Sequence, residues 1–182
     1  EHTRPCRRCR QMGDALRRRG LNPGDTVAIL CPNSHEMLES HYSVPMTGAV
    51  LNSINIRLDS ATIAFVLAHG EARVLFYDTQ WENEIRAAIA ELEVPPLLVA
   101  IERKAGASAG LADLGYEHLL TEGDPEASWQ RPADEWDAIT LNYTPGTTGN
   151  PTRVAYHHRR AHLPAMTNPM ACARTADHRH LT

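Results

Sequence analysis

The sequence is poor in aromatic residues, in lysine, in cysteine and in long apolar runs. Aromatics are 5% of the 182 residues, and Lys104 is the only lysine among eighteen basic residues. No apolar stretch approaches the roughly 20 residues of a membrane-crossing helix. The longest, residues 94–101, contains Pro95 and Pro96. No membrane span is therefore expected. No basic start followed by an apolar core marks a secretory signal. The first residue is Glu1 rather than Met, which fits a processed or incomplete chain. The cysteines are Cys6, Cys9, Cys31 and Cys172. Their spacing gives no disulfide framework, and a core of this length needs none. A reducing, cytoplasmic setting is expected.

What is present is an ordinary globular composition, 42% hydrophobic and 22% charged. It excludes collagen, coiled coil and wholesale disorder. The length suits one domain or two small ones. The net charge of −4 is unevenly spread. Residues 1–20 carry +5, residues 21–140 carry −13 and residues 141–182 carry +4. An acidic middle without aromatic stacking platforms argues against nucleic acid as a partner. Cys6-Arg7-Arg8-Cys9 has redox-motif spacing, but it lies in a basic helical stretch. A thioredoxin-like site sits at a strand-to-helix turn. The histidine-rich tail holds His157, His158, His162, Cys172, His178 and His180. It lacks the paired-cysteine spacing of a structural zinc site, so no metal ligand is assigned.

Apolar periodicity predicts an alternation. Residues 5–19 read as a helix with Cys9, Met12 and Leu16 on one face. Residues 26–30 read as a buried strand. A helix follows from a cap at Asn33 or Ser34 to about Thr47, kinked by Pro45. Residues 49–51, 74–77 and 97–101 read as further strands. A helix capped by Asp59 or Ser60 and another over residues 82–92 separate them. A short element at 116–120 lies in a long surface connection. Strands at 139–143 and 154–156 flank a glycine turn. The last segment begins as a helix that Pro164 and Pro169 interrupt. The fold class expected is α/β, with a mostly parallel sheet and flanking helices.

The segment Tyr143-Thr144-Pro145-Gly146-Thr147-Thr148-Gly149-Asn150-Pro151 carries the chemistry. Two glycines let the backbone curl so that N–H groups point inward, and three threonines add hydroxyl donors. Such a nest suits phosphate oxygens. No Lys-Ser or Lys-Thr follows Gly149, so it is not a Walker loop. The same residue types also make a plain hairpin turn.

Residues 144–151 resemble the phosphate loop of the adenylate-forming (AMP-binding) superfamily, whose pattern is Thr/Ser-Ser-Gly-Thr-Thr-Gly-x-Pro-Lys-Gly. Gly20 through Ala28, Cys31-Pro32-Asn33-Ser34, and Gly48 through Leu58 are similar to earlier family elements, in order. Tyr156-His157-His158-Arg159 resembles the acyl-CoA synthetase branch. The resemblance implies residues 1–163 as part of the large N-terminal domain of that fold, incomplete, with 164–182 as a diverged or disordered tail. It implies a fragment of an ATP-dependent acyl-CoA synthetase. A carboxylic (fatty) acid is adenylated, and coenzyme A then displaces AMP, with ATP, Mg2+ and CoA taking part. By matching position, Thr144, Gly146, Thr147, Thr148 and Gly149 cradle the nucleotide phosphates. No catalytic residue is assigned, because the later family motifs have no counterpart here and the chain alone is expected to be inactive.

Three positions depart from the pattern. Pro145 replaces a serine and loses an N–H donor. Thr152 replaces the loop lysine, and Arg153 replaces a glycine. The alternative reading is a non-catalytic α/β module that binds nucleotide or a partner. Uncovered apolar surface then favours self-association.

Overall fold

A computed structural model describes residues 3–102, 110–129, 131–144 and 151–171. Helix α1 (Thr3–Arg18) leads into strand β1 (Thr26–Leu30). Then come α2 (His35–Ser43), β2 (Val50–Ser53), α3 (Ser60–His69), β3 (Ala72–Asp78), α4 (Glu82–Ile89) and β4 (Leu97–Ile101). A two-residue strand β5 (Leu114–Gly115), α5 (Tyr116–Thr121), β6 (Ala138–Thr144), β7 (Thr152–His157) and α6 (His158–Ala171) complete the order. The seven strands form one sheet, β5-β4-β3-β1-β2-β6-β7. It is parallel from β5 to β6, and β7 closes it antiparallel to β6.

The expected α/β alternation is present. Each parallel strand sends alternate side chains to opposite faces, and for β1, β3 and β4 both faces are covered. Val27, Ile29, Phe76, Val99 and Ile101 pack under α1, α2 and α5 with Met12, Leu16 and Leu119. Ala28, Leu30, Leu75, Tyr77 and Ala100 pack under α3 and α4 with Ile63, Leu67 and Ile85. The apolar face of α1 is the one its spacing predicts, with Cys9, Met12 and Leu16 all buried. Among the described residues no helix is long and apolar enough to cross a membrane.

Two helices differ from their sequence reading at a proline. The element after Ser34 stops at Ser43, and Pro45–Thr47 forms a separate 3-10 turn. Proline lacks the N–H that would continue the ladder and its ring crowds the preceding turn, so Pro45 ends the helix rather than kinking it. Its start is as expected: the Ser34 hydroxyl accepts from Met37 N at 3.4 Å. Helix α6, in contrast, runs on through Pro164 to Ala171. There the Thr167 hydroxyl donates to the Leu163 carbonyl at 3.0 Å, giving one backbone acceptor a side-chain partner.

A buried ionic network ties α1, α2 and α5 together. Arg8 reaches Glu39 with Nε at 2.5 Å and Nη2 at 3.2 Å. It also holds Glu117 at 3.0 and 2.6 Å. Tyr116 donates its hydroxyl to Glu39 at 3.0 Å and meets Phe76 edge-on. Burial, then the Glu39 charge, pushes the Tyr116 phenol far above its usual range. Burial, with Glu82 nearby, pushes Tyr77 up to about 12.

Both phenols are thus neutral in the fold and ionise more easily when unfolded, near pH 10. Their contribution is full below about pH 10 and is lost as pH rises through the folded values. We expect the thermal midpoint to fall between pH 10 and 12 and the fall to flatten in Tyr77→Phe. An equal slope in the variant would show that Tyr77 does not set the alkaline limit.

Candidate functional site

The strand order reverses around β1: β2 lies on one side and β3 on the other. Open α/β sheets bind ligands outside the carboxyl ends of strands near such a reversal. Strand β6 lies beside β2, parallel to it, with Leu51 opposite Thr140 and Asn52 opposite Leu141. Its carboxyl end therefore opens on that same edge of the sheet. Strand β7 returns antiparallel, with Tyr143 opposite Arg153 and Thr144 opposite Thr152. The glycine-threonine segment is thus the connection of a β6–β7 hairpin.

Thr144 is the last residue of β6, exposed, and its hydroxyl lies 3.4 Å from the Thr152 carbonyl oxygen. Pro145, Gly146, Thr147, Thr148 and Gly149 lie outside the described residues. Thr152 and Arg153 both have exposed side chains at the start of β7. The position that resembles the loop lysine is therefore a neutral hydroxyl at the mouth of the hairpin.

One wall of the hairpin base was not legible as a site. The Tyr143 hydroxyl meets His69 Nδ1 at 2.9 Å, and His69 stacks on Phe65. Burial raises the Tyr143 phenol, opposed by the Arg153 charge. Asn52 is fully buried in β2, and neither of its amide atoms has a hydrogen-bond partner among the described residues. An asparagine within the apolar run Val50-Leu51-Asn52-Ser53 is the signal that marks it in the sequence.

The other candidate chemistries are not brought together. Cys6 and Cys9 both lie within α1, and Cys9 Sγ donates to the Glu39 carbonyl at 3.7 Å. Burial pushes the Cys9 thiol up to about 11. A redox-active cysteine needs the opposite shift. Iodoacetamide at pH 8 is expected to label Cys9 on the order of a hundredfold more slowly than an ordinary exposed thiol. Rapid labelling of Cys9, read by peptide mass spectrometry, would contradict this burial. Among the described residues no group of three His, Cys, Asp or Glu side chains is placed to hold a metal.

The model of the family described as AMP-binding enzyme matches residues 6–180. Similar proteins include the acetate/butyrate–CoA ligase AAE7 of Arabidopsis thaliana, described as peroxisomal. It is 41% identical over 176 residues, covering 90% of this chain and 31% of that protein. The acetate–CoA ligase CCL3 of Humulus lupulus is 39% identical over 173 residues, covering 88% and 30%. Among solved structures, the anthranilate CoA ligase AuaEII bound to anthranoyl-AMP superposes with a TM-score of 0.81 at 24% identity. That match covers 89% of this chain and 30% of that one. The N-terminal domain of FACL13 from Mycobacterium tuberculosis gives a TM-score of 0.73 at 26% identity, covering 96% and 40%. The chain spans about 30% of the length of the curated relatives.

Proposed function

The chain belongs to the AMP-binding enzyme family, and from that premise we propose that it is the N-terminal part of an ATP-dependent acyl-CoA synthetase. The observation that carries this reading is the family match over residues 6–180, which takes in the whole β6–β7 hairpin. The relatives' names point to a short carboxylic acid, acetate or butyrate, as the first substrate to try. A role in fatty acid metabolism is the wider form of the same proposal. The thiol chemistry fits a reducing compartment, and the cytoplasm is proposed.

Thr144, Gly146, Thr147, Thr148 and Gly149 are proposed to bind the ATP phosphates through backbone N–H groups and hydroxyls. A substrate carboxylate oxygen then attacks the α-phosphorus, and the bond to pyrophosphate breaks. The sulfur of CoA next attacks the acyl carbonyl, and AMP leaves. The part of this chain is to hold the triphosphate while charge moves onto the leaving pyrophosphate. Among the described residues no group of three His, Cys, Asp or Glu side chains is placed to hold a metal, and no step here is routed through Mg2+.

Carboxylate-dependent exchange of labelled pyrophosphate into ATP tests the reading. We expect exchange from a protein of the relatives' length that carries this sequence, and none from the 182 residues alone. The adenylating site of such an enzyme needs groups from distant segments held in register. Thr152→Lys in the longer protein is expected to tighten ATP binding about 10- to 100-fold. That is the size of a charge-assisted phosphate contact of about 1.5–3 kcal/mol. No exchange with any acid from acetate upward would sink the ligase reading and leave a binding module.

A further inference from the structure

Strand β6 is held unevenly along its length. It pairs with β2 through Leu51 with Thr140 and Asn52 with Leu141. Residues 142–144 run past that register. Among the described residues they pair only with β7, Tyr143 opposite Arg153 and Thr144 opposite Thr152. Strand β7 is itself the edge of the sheet. Two strands that have only each other are marginal in water. The end of the hairpin base therefore needs a hold from outside the ladder.

Helix α3 supplies one. The Tyr143 hydroxyl and His69 Nδ1 share a hydrogen bond of 2.9 Å, and the two rings meet edge-on with centroids 5.8 Å apart. Either tautomer of His69 makes this bond, because a hydroxyl both donates and accepts. His69 is the last residue of α3. Its ring stacks on Phe65, one turn earlier, with centroids 5.3 Å apart and an interplanar angle of 19°. Phe65 in turn packs against the core that contains Ile63, Val66 and Leu67. The end of α3 lies close to the phenol: a Cβ on Gly70 would stand 3.4 Å from the Tyr143 hydroxyl. An unbroken series of contacts thus runs from the core through Phe65 and His69 to Tyr143, one residue before Thr144.

We propose that Tyr143 and His69 are positioning residues for the phosphate-binding segment. Together they fix the carboxyl end of β6 on α3, so that the segment departs from one place. They act through the strand end and not by contact with the nucleotide. The anchoring rests on the fold alone; the role in nucleotide binding rests on the ligase reading given above.

Hydrogen exchange read by mass spectrometry on the 182-residue chain tests the anchor. Tyr143→Phe keeps the ring and loses the hydroxyl. His69→Leu keeps much of the bulk and loses the ring nitrogen. Each is expected to speed exchange at residues 142–144 and 152–154 about threefold or more, the size of one lost hydrogen bond. Amides of β1 and β3 should keep their parent rates, which separates a lost anchor from general unfolding. Asparagine offers the hydroxyl an amide partner near the place of Nδ1, so His69→Asn should return to the parent rate. Parent-like exchange at these strand ends in both variants, or equal acceleration across the whole sheet, overturns the anchor.

Pyrophosphate exchange in the longer protein tests the positioning role. KM for ATP is expected to rise about three- to tenfold in Tyr143→Phe and His69→Leu, with KM for the acid unchanged, and to recover in His69→Asn. A merely structural role would lower the amount of active protein and leave KM for ATP alone. An unchanged KM for ATP in an active enzyme overturns the positioning role. A parent protein without exchange fails the ligase reading, and the role in nucleotide binding falls with it, while amide exchange still decides the anchor.

Discussion

Replacing Arg8 by methionine is expected to destabilise the fold by about 3–5 kcal/mol. The size follows from what is left behind rather than from what is removed. Glu39 is 5% exposed, and its carboxylate is held by Arg8 from one side and by the Tyr116 hydroxyl from the other. Without the guanidinium, a buried carboxylate keeps one neutral donor and no counter-charge. Glu117 loses its partner as well, but it stands near solvent and contributes little. Its carboxyl is held below its usual range chiefly by the Arg8 hydrogen bond. Urea denaturation at pH 7 measures the loss. Arg8→Met with Glu39→Met removes both charges and should recover most of it. If the double variant is no better than Arg8→Met alone, the cost lies in packing and the ionic account is wrong.

The second large effect comes from a glycine. Gly123 closes the turn after α5 and lies directly on the backbone of α1. A Cβ there would overlap the Gln11 carbonyl oxygen, and would lie 2.6 Å from its carbon and 3.0 Å from Ala15 N. These are mid-helix backbone atoms that cannot rotate away. Moving α1 instead would disturb the Arg19–Glu122 pair at 2.6 Å and the Asp124 N–H bond to Asp14 at 2.9 Å. Gly123→Ala is therefore expected to cost about 3 kcal/mol. Gly115→Ala serves as the comparison, because a Cβ there meets nothing within 4 Å. It should stay within about 0.5 kcal/mol of the parent. Equal midpoints for the two variants would show that α5 does not press on α1 as described.

The local parts of this fold were legible because the signals are local. Apolar runs at residues 26–30, 74–77 and 97–101, separated by helical periods, place the parallel strands to within a residue or two. The two-residue strand β5 left no periodic signal at all. The order of strands was hidden for a different reason. Which strand neighbours β2 is decided by packing between segments far apart in the chain, not by either segment's composition. The buried network shows the same limit. Arg8, Glu39 and Tyr116 sit on three different helices, and each reads as an ordinary polar or amphipathic surface residue. For the candidate site, the glycine-threonine pattern named the hairpin connection correctly. The supporting groups Asn52, Gly70 and Tyr143 come together only in three dimensions.

The neighbour of β2 also sets when the hairpin can form. Strands β1 and β2 pair across 24 residues, Thr26 with Val50. Strands β3 and β4 pair across 23, Val74 with Leu97. In contrast, β6 reaches β2 across 89, Leu51 with Thr140. Closing the longer loop costs more chain entropy before any contact rewards it, and such non-local pairings slow folding. The four-strand nucleus of β1 to β4 can therefore assemble while the nascent chain is still being extended. On this ordering the β6–β7 hairpin is expected to dock after β1 to β4. A ligand for that hairpin would act late, on a sheet already built, and would stabilise the final step rather than start the first.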